Sequence, residues 1–213
     1  MNMSNRNISE RVMKWMKLLL NKPYIPAELA DTKGPLLLHI SDTPQEIYPY
    51  IIKFVQMLQP SYIVHTGDLV DNIKLGILPH RTKEYRNSLK ELLPKLESSC
   101  SATIYYVMGN HDRLDIVKKI TIRGIATGED YIDVEGVKFY VNHYYGCSNG
   151  RDFDYYLYGH SMEPISYNNG RRVFLNGLNS MNVINLSTNR VFNLPYPLET
   201  NTFRTMRRRK IGL

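Results

Sequence analysis

The sequence of 213 residues predicts an α/β fold in which two mixed sheets form a sandwich flanked by helices. From Pro35 onwards, short apolar runs alternate with segments of helical spacing, a pattern typical of a largely parallel sheet. After residue 130 the apolar runs follow one another without intervening helices, which predicts antiparallel strands in a second sheet packed on the first. A hydrophobic content of 43% and a charged content of 22% are typical of a globular domain.

The elements follow in order along the chain. In the first half we expect strands at 36–40, 62–64 and 103–108, and helices at 45–58, 82–97 and 114–122. In the second half, 131–134 and 137–141 flank Glu135-Gly136 as a hairpin. Further short strands are expected at 155–158, 173–175, 181–186 and 191–194.

The ends of the chain differ from this central part, and we predict three regions. Residues 1–30 are an N-terminal amphipathic helix and link, 31–200 the main domain, and 201–213 a basic C-terminal tail. The apolar stretch from Val12 to Leu20 is too short to span a bilayer, so we expect it to dock on the domain, with membrane contact as the alternative. Ser9 or Asn7 is the expected cap of this helix.

The net charge of +7 favours anionic ligands in general. Part of this charge lies in the tail, at Arg204, Arg207, Arg208, Arg209 and Lys210. A solvated tail is the simpler interpretation, and a phosphate-binding arm the alternative. The two cysteines have no paired spacing, so a reducing compartment and a cytoplasmic location are expected.

Several apolar runs end on a residue that can hold a metal ion. The runs LLLHISD, YIVHTGD, IYYVMGN, FYVNH and YYLYGH end on Asp42, Asp68, Asn110, His143 and His160. Because the carboxyl ends of the strands in an open α/β sheet line one crevice, these side chains are expected to converge. The sequence therefore predicts a metal site of two carboxylates, one amide oxygen and two imidazoles. His39 and His65 lie inside strands and are interpreted as buried supporting residues.

Five segments, in this order, resemble the motifs of calcineurin-like metallophosphoesterases over roughly residues 35 to 190. They are 41–44 (Ser-Asp-Thr-Pro), 67–71 (Gly-Asp-Leu-Val-Asp), 109–112 (Gly-Asn-His-Asp), 142–143 (Asn-His) and 159–164 (Gly-His-Ser-Met-Glu-Pro). The short distance from His111 to His143 leaves no room for a large cap, so the chain looks most similar to the small microbial phosphodiesterases of that superfamily.

This resemblance implies the two-sheet sandwich and a hydrolase of phosphomonoesters or phosphodiesters that uses metal-activated water. It makes Asp68 the ligand shared by two metals. It places Asn110, His143 and His160 on one metal and Asp42 on the other. His111 would act as general acid or electrostatic stabiliser at the leaving oxygen, with its ring oriented by Asp71. Asp112 is expected to shape the loop.

The sequence departs from the family pattern at two positions, where Pro44 and Met162 replace histidines. Both histidines would have served the metal held by Asp42. Three outcomes stay open: a single metal, a second ion that binds only with substrate, or loss of catalysis. Gln45 and Glu163 are close enough in sequence to substitute. One or two divalent ions are expected, with Mn²⁺ first and Mg²⁺, Fe, Zn²⁺ or Ni²⁺ as alternatives.

A small phosphoester is the expected partner, and no membrane partner is expected. Two other functions stay open on the same fold. One is a catalytically weak or inactive protein-binding module, as known for a retromer subunit with degenerate metal ligands. The other is a nucleic-acid phosphodiesterase recruited by the basic tail.

Overall fold

The computed structural model describes residues 12–13, 15–17, 19–146, 150 and 152–204, and these residues form two mixed sheets flanked by helices. The strands are β1 (Leu36–Ile40), β2 (Tyr62–His65), β3 (Thr103–Val107), β4 (Ile125–Thr127), β5 (Asp130–Val134), β6 (Val137–Val141), β7 (Tyr155–Tyr158), β8 (Tyr167–Asn168), β9 (Val173–Asn176), β10 (Met181–Asn185) and β11 (Arg190–Leu194). The α-helices are α1 (Ala27–Ala30), α2 (Tyr48–Leu58), α3 (Thr82–Ser98), α4 (Leu114–Ile120) and α5 (Thr200–Phe203). Short 3₁₀ turns precede α2 and α3, at Gln45–Ile47 and Pro79–Arg81.

The first sheet has the order β11-β10-β1-β2-β3-β4, and its four strands from β1 to β4 run parallel. Their carboxyl ends therefore open on one edge of the sheet. Successive residues of β1 point to opposite faces, so Leu38 packs in the cluster with α2 and α3 while Leu37 packs between the two sheets. Both faces of the strand are buried, which explains its unbroken apolar sequence.

The second sheet has the order β5-β6-β7-β9-β8 and corrects one expectation. The predicted hairpin of β5 and β6 is confirmed, but β6 pairs with β7 and β7 with β9 in parallel. β10 and β11 return to the first sheet as an antiparallel pair. Residues 142–154 and 159–172 are long enough for the crossovers that parallel neighbours require. The sequence did not reveal them because no helical spacing was recognised in these segments, and it also missed the short strands β4 and β8.

The N-terminal helix does not dock as expected in the part that the structure describes. Residues 12, 13, 15–17 and 19 are helical, and Trp15 and Leu19 are 62% and 68% exposed. The docking prediction is wrong for these residues because the apolar faces of the first sheet are already covered by α2–α4 and by the second sheet. The predicted caps, Ser9 and Asn7, lie outside the described residues.

No helix among the described residues is long and apolar enough to cross a membrane. At the other end of the chain, Arg204 is 1% exposed. Its assignment to a solvated tail is therefore wrong, although residues 205–213 lie outside the described part of the chain.

Candidate metal centre

The five predicted ligands meet at the strand ends, as the sequence predicted. A carboxylate oxygen of Asp42, one of Asp68 and a ring nitrogen of His143 all lie within 4.8 Å of one another. His143 Nε2 is 3.0 Å from Asn110 Oδ1 and 3.2 Å from His160 Nδ1. Asp42, Asp68 and His143 are buried, whereas Asn110 and His160 are exposed, so the centre is open to solvent on one side.

The backbone at three of these positions is in the left-handed region. Asp42, Asp68 and His160 have φ angles of 51°, 55° and 66°. Such conformations in residues other than glycine cost on the order of 1–3 kcal/mol each and cluster at functional sites. Two motif glycines permit the close approach of the loops, because a Cβ at Gly109 would collide with the Asp68 carboxylate and one at Gly159 with the Asp42 carboxylate.

The hydrogen bonds of His143 test whether the site suits a cation. His143 Nδ1 lies 2.7 Å from the Thr66 carbonyl oxygen, which only accepts, so Nδ1 carries a proton. In the neutral ring Nε2 then has a lone pair, and it faces Asn110 Oδ1 and, at 3.5 Å, Asp68 Oδ2. Either a second proton, carried by Nε2, or a bound cation is needed between these acceptors. A carbonyl bond that fixes the tautomer is also typical of a metal-ligating histidine, and this donor set fits a divalent metal.

The electrostatics lead to the same conclusion. Burial and the neighbouring Asp68 charge raise the pKa of Asp42, and burial and the Asp42 charge raise that of Asp71 to about 7. Although burial lowers it, the hydrogen bond and charge of Asp68 raise the pKa of His143 to about 9. Burial opposes ionisation of Asp68 too, but His143 brings its pKa down to about 2. The site thus contains excess buried negative charge, which a protonated His143 only partly neutralises.

His111 is held at the centre by two backbone contacts. Its N–H donates to Asp68 Oδ1 at 2.9 Å, and its Nδ1 accepts from the Gly76 N–H at 3.1 Å. The side chains of Asp68, Asp71 and His111 form a second cluster with ligand atoms within 4.8 Å of one another. Asp71, the predicted orienting group, also forms an ion pair with Lys74. The Gly76 N–H makes Nδ1 the acceptor of the neutral His111 ring, and the orienting role of Asp71 stays a prediction.

Asp112 shapes the loop, as expected. Its buried carboxylate accepts hydrogen bonds from the Asp68 N–H at 2.6 Å, the Leu69 N–H at 3.0 Å, the Gly109 N–H at 2.9 Å and the Tyr85 hydroxyl at 2.8 Å. Burial and the Asp68 charge raise the pKa of Asp112 to about 7.

His39 and His65 are also buried and partnered, in agreement with their interpretation as supporting residues. They contact the hydroxyls of Thr66 and Thr43 at 2.9 and 2.7 Å. Burial lowers the pKa of each to about 3, so both rings are neutral.

The side of the centre around Asp42 is built differently. Pro44 is buried, and Met162 is 44% exposed at a cavity of about 600 Å³. The substitutes considered from the sequence point elsewhere: Gln45 Oε1 accepts from the Ser88 hydroxyl at 2.8 Å, and Glu163 Oε2 from the Ile165 N–H at 3.2 Å. The two missing histidines therefore have no replacement among these side chains.

Beneath Asp42 lies a residue that the sequence did not reveal as part of the site. Arg204 Nε donates to the Asp42 carbonyl and Nη1 to the Leu178 carbonyl, both at 2.7 Å, and Nη2 donates to the Ser41 carbonyl at 3.3 Å. Its guanidinium lies over the Tyr196 ring, 4.7 Å from the centroid. No short motif predicts this contact, because 162 residues separate Arg204 from Asp42. Lys74 was missed for a different reason: it pairs with Asp71 only three residues away, but a lone lysine in a loop carries no signal.

A family model described as calcineurin-like phosphoesterase matches residues 35–210. None of the curated protein sequences matches the chain significantly.

Among solved structures, an archaeal phosphodiesterase is similar with a TM-score of 0.56 at 16% identity, over 75% of this chain and 99% of that chain. The phosphoesterase Yfce from E. coli has a TM-score of 0.49 at 17% identity, over 74% and 96%. Vacuolar protein sorting 29 from Cryptosporidium parvum has a TM-score of 0.43 at 14% identity, over 76% and 96%. At these identities the likeness concerns the fold, and the first structure carries it.

Proposed function

Because the chain belongs to the calcineurin-like phosphoesterase family, we propose that it hydrolyses phosphomonoesters or phosphodiesters with a divalent metal held by Asp68, Asn110, His143 and His160. The observation that carries this proposal is the buried Nε2 of His143, which converges with Asn110 Oδ1 and Asp68 Oδ2 while the Thr66 carbonyl holds a proton on Nδ1, so that Nε2 is the nitrogen that would bind a metal in place of its own proton. We propose Mn²⁺ as the ion, because a mixed set of carboxylate, amide and imidazole ligands suits it.

When bound, the metal supplies Lewis acidity that activates water and polarises the phosphoryl oxygens. The protein positions the phosphate over the open side of the centre, where Asn110 and His160 reach solvent. The Oδ2 atom of Asp42 accepts hydrogen bonds from the Ser41 hydroxyl at 2.6 Å and from the His160 N–H at 3.0 Å. It thereby joins the loops after β1 and β7 and adds negative charge beside the proposed ligands.

His111 acts on the leaving oxygen in this proposal. The Gly76 N–H points at Nδ1, so the neutral ring carries its proton on Nε2 and donates from there. Burial and the positive charge of Lys74 lower the pKa of His111, which favours this neutral form. Of the two roles open from the sequence, hydrogen-bond stabilisation of the leaving oxygen is therefore favoured over proton donation by a doubly protonated ring.

Lys74 contributes a positive charge of the chain itself. It has a left-handed backbone, with φ of 52°, and its ammonium pairs with Asp71 next to His111. The ion pair neutralises one of the buried carboxylates, so fewer negative charges oppose an incoming phosphate.

The test measures metal content and hydrolysis together. Purified protein loaded with Mn²⁺ and desalted is expected to retain about one ion per chain by elemental analysis, and to cleave bis(p-nitrophenyl) phosphate. His111→Ala is expected to keep the metal and to lose roughly 10²–10⁴-fold in kcat, the range for acid–base and hydrogen-bonding catalytic groups. His80→Ala, which removes an exposed histidine outside the centre, is the matched control and is expected to change neither quantity.

A native protein that retains no Mn²⁺ would refute the metal site. A metal-loaded protein with no hydrolysis of mono- or diesters would favour the alternative of a protein-binding module on this fold.

A further inference from the structure

One exposed aromatic side chain lies beside the proposed metal ligands and has no role in the reaction as described so far. Tyr144 is 45% exposed, and its ring centroid is 4.5 Å from that of His160 and 5.0 Å from that of His143. Burial and the negative charge of Asp68 raise the pKa of Tyr144, which agrees with its place at the mouth of the centre.

The backbone around Tyr144 is held firmly. Its N–H donates to Asn142 Oδ1 at 3.0 Å, and its carbonyl accepts from the Tyr156 hydroxyl at 2.7 Å. The same hydroxyl accepts from the Gly146 N–H at 3.0 Å, so one buried tyrosine holds the backbone on both sides of Tyr145. These bonds hold the backbone that carries the Tyr144 ring beside the centre, which lowers the backbone entropy lost on binding.

The next residue shows what a tyrosine used for packing looks like in this loop. The Tyr145 ring lies 5.0 Å from Tyr158 and 5.8 Å from Tyr156, and its hydroxyl contacts the Tyr167 hydroxyl at 3.0 Å. In the described part of the chain, the ring contacts of Tyr144 are with the two imidazoles. Tyr145 completes an aromatic cluster on the second sheet, whereas Tyr144 leaves part of its ring open beside the position of the phosphate.

We propose that Tyr144 stacks on a planar aromatic group of the substrate, so that the preferred substrates are nucleotide-type phosphoesters with a base close to the reacting phosphate. This inference rests on the proposed function, because it takes the phosphate to lie at His143 and His160. Stacking on an exposed aromatic ring suits any base, since each has a π-face. It therefore predicts a preference for the aromatic group without selection of one base.

The test is a binding measurement in which each protein, wild type at Tyr144 or substituted there, also carries His111→Ala, so that turnover of the phosphomonoesters is too slow to contribute heat. Mn²⁺-loaded protein is titrated calorimetrically with AMP and with ribose 5-phosphate, which share the phosphate and the sugar and differ in the base. Wild type is expected to bind AMP about tenfold more tightly, equivalent to about 1.4 kcal/mol. Tyr144→Leu is expected to lose this difference and Tyr144→Phe to keep it.

Tyr145→Leu is the matched control, because it removes the adjacent tyrosine, which is 42% exposed, and is expected to retain the preference for AMP. Equal binding of the two phosphates by wild type, or an unchanged preference in Tyr144→Leu, would overturn the stacking role while leaving the metal-dependent function intact. No binding of either phosphate by the metal-loaded protein would count against both.

The base can come from a free nucleotide or from a single strand of nucleic acid. A short single-stranded oligoadenylate, titrated in the same way, separates these sources. Binding much tighter than that of AMP, with a strong salt dependence, would identify the strand, and equal binding would identify the free nucleotide.

Discussion

Two regions of one crevice deal with buried negative charge in different ways. The intact region comprises Asp68, Asn110, His143 and His160, whose polar atoms converge on the point where the proposed cation would lie. The altered region comprises Asp42, Pro44, Met162 and Arg204, where a cation of the chain already lies beneath the loop. The difference shows that loss of two histidines did not leave a simple gap in the structure.

The two regions also differ in what their polar groups hold together. In the altered region the Arg204 guanidinium binds carbonyl oxygens of the loops after β1 and β9, and Tyr196 adds its hydroxyl to the Gly177 carbonyl at 2.7 Å. These bonds fix backbone, and they leave the Asp42 side chain to Ser41 and His160. The altered region thus provides structural support, whereas the intact region contains the proposed metal ligands.

Replacement of Arg204 is expected to give the largest effect on stability. Arg204→Met leaves buried carbonyl oxygens without donors, and such losses cost about 3–5 kcal/mol in the free energy of unfolding. Arg190→Met is the matched control, because Arg190 also lies 4.7 Å from a ring centroid, that of Phe192, but is exposed and pairs with Glu28 on the surface. Its loss is expected to be below about 1 kcal/mol. Urea denaturation of the metal-free proteins measures both, and similar losses in the two variants would contradict the structural role of Arg204.

Removal of a ligand from the intact region is expected to abolish metal binding. His143→Ala should weaken Mn²⁺ binding more than about a hundredfold, since loss of a group that merely supports a ligand already weakens binding 10- to 100-fold. Met162→Ala changes a side chain of the altered region and should leave the affinity within a few-fold of wild type. Isothermal titration with Mn²⁺ measures both. A comparable loss in Met162→Ala would mean that both regions hold the same ion.

The stability of the metal-free protein should depend on pH through the same buried groups. The pKa of His143 is raised to about 9. Its contribution to the free energy of unfolding is therefore complete below about pH 6.5 and is lost as the pH rises through 9. The pKa values of Asp71 and Asp112 are raised to about 7 from 3.8. The folded protein therefore also loses stability as the pH rises from about 4 to 7 and these two carboxyls ionise. Each group contributes a slope of about 1.4 kcal/mol per pH unit at most.

Added Mn²⁺ should therefore raise the Tm more at pH 8.5 than at pH 6, because the metal replaces the protons that the folded protein loses. Differential scanning fluorimetry with and without Mn²⁺ across this range measures the effect. His143→Ala is the control and should flatten the part of the metal-free profile between pH 7 and 9. A Tm shift that does not change with pH would contradict the electrostatic picture of the intact region.

The sequence predicted the intact region well, for a physical reason. Its ligands follow strand ends, and parallel strands bring their carboxyl ends to one edge regardless of the loops between them. Asp68 and Asn110 could therefore be placed from strand order alone, whereas the close approach that Gly109 and Gly159 permit became visible only in the structure. The crossovers of the second sheet were not predicted, because the strands alone do not determine their partners.

For the altered region, the sequence predicted only that two histidines of the family pattern are missing. Pro44 and Met162 were visible as departures from a pattern, but Arg204 and Tyr196 reach the crevice through tertiary contacts across long stretches of chain. No local spacing encodes such contacts. Arg204 was grouped with a run of basic residues, and its burial depends on a turn after α5 that the composition of the run conceals.

Restoring the missing histidines is expected to give the smallest effect. It should change the metal content only from about one ion per chain to about two. Pro44→His with Met162→His offers two imidazoles beside Asp42, and imidazole with carboxylate is a good donor set for Mn²⁺ or Zn²⁺. Elemental analysis after loading with Mn²⁺ measures the stoichiometry, and the single variants serve as controls that should stay near one ion. Because Arg204 already lies beneath Asp42, its charge opposes a second dication. If the double variant still binds one ion, Arg204 rather than the two missing histidines sets the limit, and adding Arg204→Met to the double variant should then admit the second ion.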